Sequence, residues 1–210
     1  MNLDTGLIRI EIESHRFDVP LRYMYGQSVE TYGRWPTPKT ERVQVGALSL
    51  SVLLSGMRPY FKEDDARWTV KGHGERLEIS ISKPVGGLTA WHDWYESSLG
   101  QTTKFVAEGR FYHKEPEIYN LIHFSEQSGE RYFAQGDQKL AITCDATIPP
   151  LKWSGFYSPS CKVKSNYRTG LVLEYYYALQ YLPQWQQIDK DIKAMFDRFA
   201  LTAQSNQARQ

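Results

Sequence analysis

Two stretches of this chain alternate strictly between apolar and polar residues, and that alternation limits what the chain can fold into more than any other feature. LIRIEIES places Ile8, Ile10 and Ile12 on one side and Arg9, Glu11 and Glu13 on the other. ERLEISISK does the same with Leu77, Ile79 and Ile81 against Glu78, Ser80 and Ser82. Side chains of a strand point alternately to its two faces, so a period of two marks strands with one face buried and one solvated. The end of the chain follows a different period. PQWQQIDKDIKAMFDRFAL sets Trp185, Ile188, Ile192, Met195 and Phe199 along one helical stripe, with Pro183 suited to the first turn. Many strands and one strong terminal helix predict an α+β fold. The expected architecture is a curved antiparallel β-sheet of about seven to nine strands, with a C-terminal amphipathic helix packed on it and one short internal helix.

The segments in between supply the remaining elements. RFDVPLRYMYGQS contains Pro20, which demotes its start to an edge or a turn. SVETYGRWPTPKTE is a loop, broken by Gly33, Pro36 and Pro38. ERVQVGALSLSVLLS reads as one long strand with a bulge at Gly46, where the alternation changes phase. TTKFVAEGRFYH, EIYNLIHFS, ERYFAQG and QKLAITC follow at regular spacing and predict an antiparallel meander. CKVKSNYRTGLVLEYYYALQYL predicts a last hairpin turning at Arg168-Thr169-Gly170, with Leu171, Leu173, Tyr175 and Tyr177 on one face. TAWHDWYESSL is the short internal helix, capped by Thr89, with Trp91, Trp94 and Tyr95 at helical spacing. No internal repeat or linker interrupts the chain. Residues 1–203 therefore read as a single α+β domain and residues 204–210 as a frayed tail.

Composition excludes several classes. The chain is 41% hydrophobic and 23% charged, the balance of a soluble globular protein. Its 25 basic and 24 acidic residues are interspersed, so there is no basic run to mark nucleic-acid binding. No stretch of about eighteen apolar residues exists, and no transmembrane segment is expected. Aromatic residues reach 14%, with 14 Tyr and 6 Trp, types that suit both sheets and protein-binding surfaces.

Both cysteines bracket one loop, CDATIPPLKWSGFYSPSC. Structural zinc takes four ligands at close spacings, and Cys144 and Cys161, sixteen residues intervening with no partnered histidine, do not supply them. The C-x-x-C of a thioredoxin-like redox motif is missing. Two inert thiols are one alternative; a disulfide is the expected one, since the count is even and the two cysteines flank strands. Closing such a loop stabilises a fold by about 3 kcal/mol on chain-entropy grounds. A disulfide in turn favours an oxidising compartment. The amino terminus, MNLDTGLIRIEIES, shows no charged-then-apolar signal pattern. A periplasmic location thus presumes a signal peptide that this chain does not carry, and a cytoplasmic one is the alternative.

No stretch spells out an active site, and no metal or cofactor is expected. His92-Asp93 beside Ser97 and Ser98 has the residue types of a base–nucleophile pair, but no G-x-S-x-G elbow occurs. His113 and His123 fall on adjacent predicted strands and are placed to pair across them, or simply to sit on a strand surface. GHGE lacks both the P-loop and the dinucleotide-binding spacing and reads as a turn. KEDDA lacks the ligand spacing of an EF-hand and reads as a solvated acidic loop or the mate of a partner's basic patch. Trp35, between a glycine and two prolines, is the best candidate for a rigid exposed anchor, because Trp, Tyr and Arg dominate interface hot spots.

FDVPLRYMYG, LSLSVLLSGMRPYFKED with GHGERLEIS, and PSC followed by GLVLEYYYALQYLPQWQQIDKDIKAMF together resemble a family of exported proteobacterial proteins. That family carries a similar late cysteine pair and ends in the same leucine-proline-x-tryptophan helix. It is associated with immunity proteins of the type VI secretion system, particularly those guarding against lipase-class effectors in the periplasm. The resemblance implies a protein that neutralises a cognate toxin by binding it, with no chemistry of its own. On this reading Tyr32, Arg34 and Trp35 form one contact patch, and Glu63, Asp64 and Asp65 a second, electrostatic one. The rival readings are a small envelope hydrolase using His92, and a carbohydrate- or lipid-binding module stacking its ligand on Trp35 and Trp91.

Overall fold

The computed structural model describes residues 2–3, 5–38, 40–99, 104–107, 110–126, 129–147 and 156–207, with the backbone alone described at a few of them. In chain order the elements are β1 (Leu7–Ile12), β2 (His15–Pro20), β3 (Val43–Gln44), β4 (Ala47–Leu53), α1 (Asp65–Trp68), β5 (Arg76–Ser82), α2 (Gly87–Leu99), β6 (Lys104–Ala107), β7 (Arg110–Ile118), β8 (Leu121–Glu126), β9 (Gly129–Ala134), β10 (Leu140–Asp145), β11 (Ser160–Asn166), β12 (Val172–Ala178) and α3 (Trp185–Gln207). The fold is α+β, as the two periods predict. It divides into two compact units, Met1–Lys83 with Gln184–Gln210, and Pro84–Pro183.

In the first unit β1 pairs antiparallel with β2 and parallel with β3. Ile10, Ile12, Phe17 and Val19 are buried, while Ile8 is only part-buried. Helix α3 lies on β2, with Phe196 edge-on to Phe17 at 5.9 Å and Phe199 edge-on to Tyr23 at 5.0 Å. Its apolar stripe, Trp185, Ile188, Ile192, Met195 and Phe199, is buried throughout. Asp18 is enclosed with this core, only 1% exposed. Arg42 approaches it to 2.7 Å and also donates to the carbonyls of Ile10 and Phe17, so one guanidinium ties β1 to β2.

β4 and β5 form an antiparallel pair in which Leu48, Leu50 and Val52 face Ile81, Ile79 and Leu77, all buried. The sequence 41–55 is not one long bulged strand. Val45 N–H donates to Glu11 C=O, which keeps β3 on β1. The chain then leaves at Gly46, and β4 takes β5 as its partner. Gly46 marks a switch between sheets, and the phase change in the alternation is its trace.

Among the described residues, the second unit holds seven strands of an antiparallel meander in the order β12-β11-β10-β9-β8-β7-β6. Gly170, at φ 78°, closes the β11–β12 turn, where Leu171 N–H donates to Arg168 C=O. EIYNLIHFS is not a single strand: Tyr119 and Asn120, both at positive φ, form a two-residue turn between β7 and β8. α2 begins at Gly87, two residues before the Thr89 expected at its start. Its Tyr95 packs with Tyr112, Phe124 and Phe133 in a buried cluster and donates its hydroxyl to Ala134 C=O. The side chain of Trp91 lies outside the described residues.

Cys144 and Cys161 face each other across β10 and β11 and are joined in a disulfide. Asp145 Oδ2 accepts from both the N–H and the Oγ of Ser160, at 2.9 and 3.0 Å, and Tyr157 donates to Ala146 C=O at 2.6 Å. These bonds clasp the two ends of the loop; residues 148–155 of it lie outside the described residues.

Candidate binding surface

The surface is assembled from three pieces of the first unit that are remote in sequence. A turn of π-helix over Tyr25–Glu30 carries Tyr25. It seats close to β4 because residue 26 is glycine: a Cβ there would collide with Ser51 Oγ and come within 2.8 Å of the Arg76 guanidinium. The segment after β4 brings in Tyr60, and the single turn of α1 brings in Trp68. The Tyr25 and Tyr60 rings stack face to face, 3.6 Å apart and 1° from parallel. Trp68, buried beneath, meets both edge-on at 5.3 and 5.7 Å. Trp35 tilts against the pair at 5.9 and 6.1 Å.

Charged groups rim the aromatic cluster. Tyr60 donates its hydroxyl to Asp65 Oδ1 at 3.0 Å. Burial first, then that bond to a carboxylate, pushes its pKa up to about 12. Tyr25 also titrates above the ordinary phenol value, through burial and the nearby Glu30 charge. Arg76 lies over the Trp68 ring at 5.7 Å and bonds Glu30 at 3.0 Å. Arg22 and Arg58 both approach the Phe61 ring, at 4.4 and 5.0 Å. Fixed arginine planes stacked on aromatic rings lose little side-chain freedom when a partner docks.

The two expected patches converge here through Tyr60, which touches Trp35 on one side and Asp65 on the other. Their members play different parts. Tyr32 is 68% exposed and Arg34 is exposed. Trp35 is part-buried against its tyrosine neighbours instead of standing free. Glu63 and Asp65 face solvent, with Glu63 bonded to Arg58 at 3.1 Å. Asp64 corrects the picture of a solvated acidic loop: it is only 7% exposed and turns inward between Arg58, at 2.9 Å, and Arg67, at 3.4 Å. Sequence reading missed Tyr25, Tyr60 and Trp68. YMYG and RPY carry aromatics, but only the fold stacks one on the other.

The other candidates are placed as follows. Ser97 and Ser98 both donate to the Trp94 carbonyl, at 2.9 and 2.8 Å, so both hydroxyls are engaged by their own helix. His113 and His123 do not face each other: the register sets His113 opposite Ser125, and His123 opposite Glu115 and Tyr132, on whose ring it stacks at 4.6 Å. Within GHGE, Gly72 and Gly74 adopt positive φ in the turn leading to β5. Among the described residues no group of three His, Cys, Asp or Glu side chains converges as a metal site. Among them, no helix is long and apolar enough to cross a membrane.

No protein-family model and no curated protein matches this chain. Two solved structures share its fold. One is the iron-regulated outer membrane lipoprotein FrpD of Neisseria meningitidis, at TM-score 0.61 and 14% identity over 95% of each chain. The other is Smlt3025, an immunity protein of the Stenotrophomonas maltophilia type IV secretion system, at TM-score 0.62 and 13% identity over 92% of this chain and 93% of that one. At these identities the likeness is one of fold.

Proposed function

We propose that this protein is an immunity protein of the cell envelope that binds and neutralises a secreted antibacterial toxin by covering its working surface. The observation that carries this reading is the Tyr25–Tyr60 stack with Trp35 against it, rimmed by ordered arginines and carboxylates. Rigid aromatics and arginines at the centre of a polar rim are what a protein-binding hot spot requires. The shared fold with Smlt3025 and the sequence resemblance to exported immunity proteins support the same role. The Cys144–Cys161 disulfide supports an oxidising, periplasmic setting. The action is by contact, not turnover, and the toxin class that the resemblance implies is a phospholipase of the type VI system. Smlt3025 serves a type IV system, so the test is designed to accept a toxin from either.

The test is protection. Each secreted toxin encoded beside this protein is directed to the periplasm of a sensitive bacterium, with and without co-expression of this protein. Wild type restores growth, and Trp35→Ala with Tyr60→Ala, soluble and folded, does not. Failure to protect against any of them, or full protection by the double variant, contradicts the reading.

A further inference from the structure

The second unit carries a groove of about 420 Å³ that no candidate above uses. Its floor is written in the strand register. Arg131, Thr143, Lys162 and Tyr176 stand directly opposite one another across β9, β10, β11 and β12. The next row on that face is Phe133, Ala141, Lys164 and Glu174. Trp94 of α2, tilted against Phe133 at 6.0 Å and 39% exposed, forms the wall. The reverse face of the same strands is core: Ile142, Val163 and Tyr175 are at most 1% exposed. The disulfide lies one register step from the Thr143–Lys162 pair, on that core face, and pins the two central strands of the floor.

Among the described residues, three cations and one carboxylate line this groove, on a chain whose overall net charge is only +1. Lys162 and Lys164 project from the same side of one strand, about 7 Å apart from the strand rise. Lys162 bonds Glu174 at 2.9 Å and lies 5.4 Å from the Tyr176 ring. Glu174 and the Tyr176 hydroxyl both bond this ammonium, and its three donors leave room for one further acceptor. The Arg131 guanidinium is held by the Thr143 hydroxyl and lies over the Tyr112 ring at 5.4 Å. Its lining residues spread across four neighbouring strands and α2, a floor wide enough for a few residues of extended chain.

From this we infer that the groove binds an acidic segment of a partner protein, its carboxylates on Lys162, Lys164 and Arg131 and an apolar side chain against Trp94. The inference rests on the reading of the molecule as a toxin binder and names the chemistry of one part of that toxin. Its test needs no toxin, so the two can fail separately.

Hexaglutamate peptide is titrated into the isotopically labelled protein, with hexaglutamine and inorganic phosphate as the other probes. Hexaglutamate is expected to shift the amides of Thr143, Lys162 and Lys164, less at high salt, and hexaglutamine is not. Lys162→Gln with Lys164→Gln weakens hexaglutamate binding about tenfold. Glu174→Gln, which removes the competing carboxylate and leaves the lysines in place, tightens it, and this arm stands even if the lysine variant fails to fold. Shifts confined to other residues, equal binding of hexaglutamine, phosphate bound in preference to the peptide, or an unchanged response in Glu174→Gln would each overturn the inference.

Discussion

Single side chains settle two questions that the sequence leaves open. Asp18 sits in an unremarkable FDVP, yet it is enclosed and held by Arg42, twenty-four positions away. Asp18→Asn leaves a part-buried guanidinium without its counter-charge and should cost about 3 kcal/mol, read from urea unfolding. A change below about half a kcal/mol would mean the pair is solvated. Tyr60 makes a prediction about pH. Its phenol titrates at about 12 in the folded protein, against about 10 for an unfolded tyrosine. Between those values the native state keeps a proton that the unfolded chain has lost. Its stabilising effect is therefore complete below about pH 10 and disappears as pH rises toward 12. A phenolate absorbance titration should show a late-ionising tyrosine that is absent in Tyr60→Phe; Tyr95, also near 12, remains as an internal reference. These pairings were invisible in sequence because a carboxylate or phenol shows its partner only once the chain has folded back on it.

At the level of elements, periodicity was a faithful guide wherever one face is buried. The β1, β5 and α3 patterns are found where they were expected, because a strand or helix with one wet face must repeat at two or at about 3.6. It misled at two junctions. Gly46 is where the chain changes sheets, and Tyr119-Asn120 is a turn written in residues that do not advertise one. Asparagine tolerates positive φ, whereas tyrosine does so only because the hairpin demands it. The disulfide was legible from the even count and strand-flanking positions of the two cysteines, and it closes β10 on β11. Replacing both cysteines with alanine should lower stability by about 3 kcal/mol and bring the thermal midpoint down by several degrees. Retention of the midpoint would show that the strand register needs no covalent help. Phe196, fully enclosed between α3 and β2, is the corresponding test for the helix: Phe196→Ala should cost about 3–5 kcal/mol.

For the molecule as a whole, fold class and disulfide were readable in advance, and the candidate surface only in fragments. Trp35 and Asp65 were singled out on residue type, but the tyrosine stack that joins them spans residues 25–60 and has no local signature. Asp64 was grouped with its neighbours by sequence and separated from them by burial. The central claim is that Tyr25, Trp35 and Tyr60 form the anchor for a protein partner. Calorimetric titration of wild type and of Trp35→Ala and Tyr60→Ala with the neighbouring-gene toxin that wild type protects against tests this most directly. The expected result is a one-to-one complex that each substitution weakens by about 30-fold, the loss of about 2 kcal/mol typical of a hot-spot side chain. A complex of undiminished affinity in both variants, with their fold intact, would contradict it.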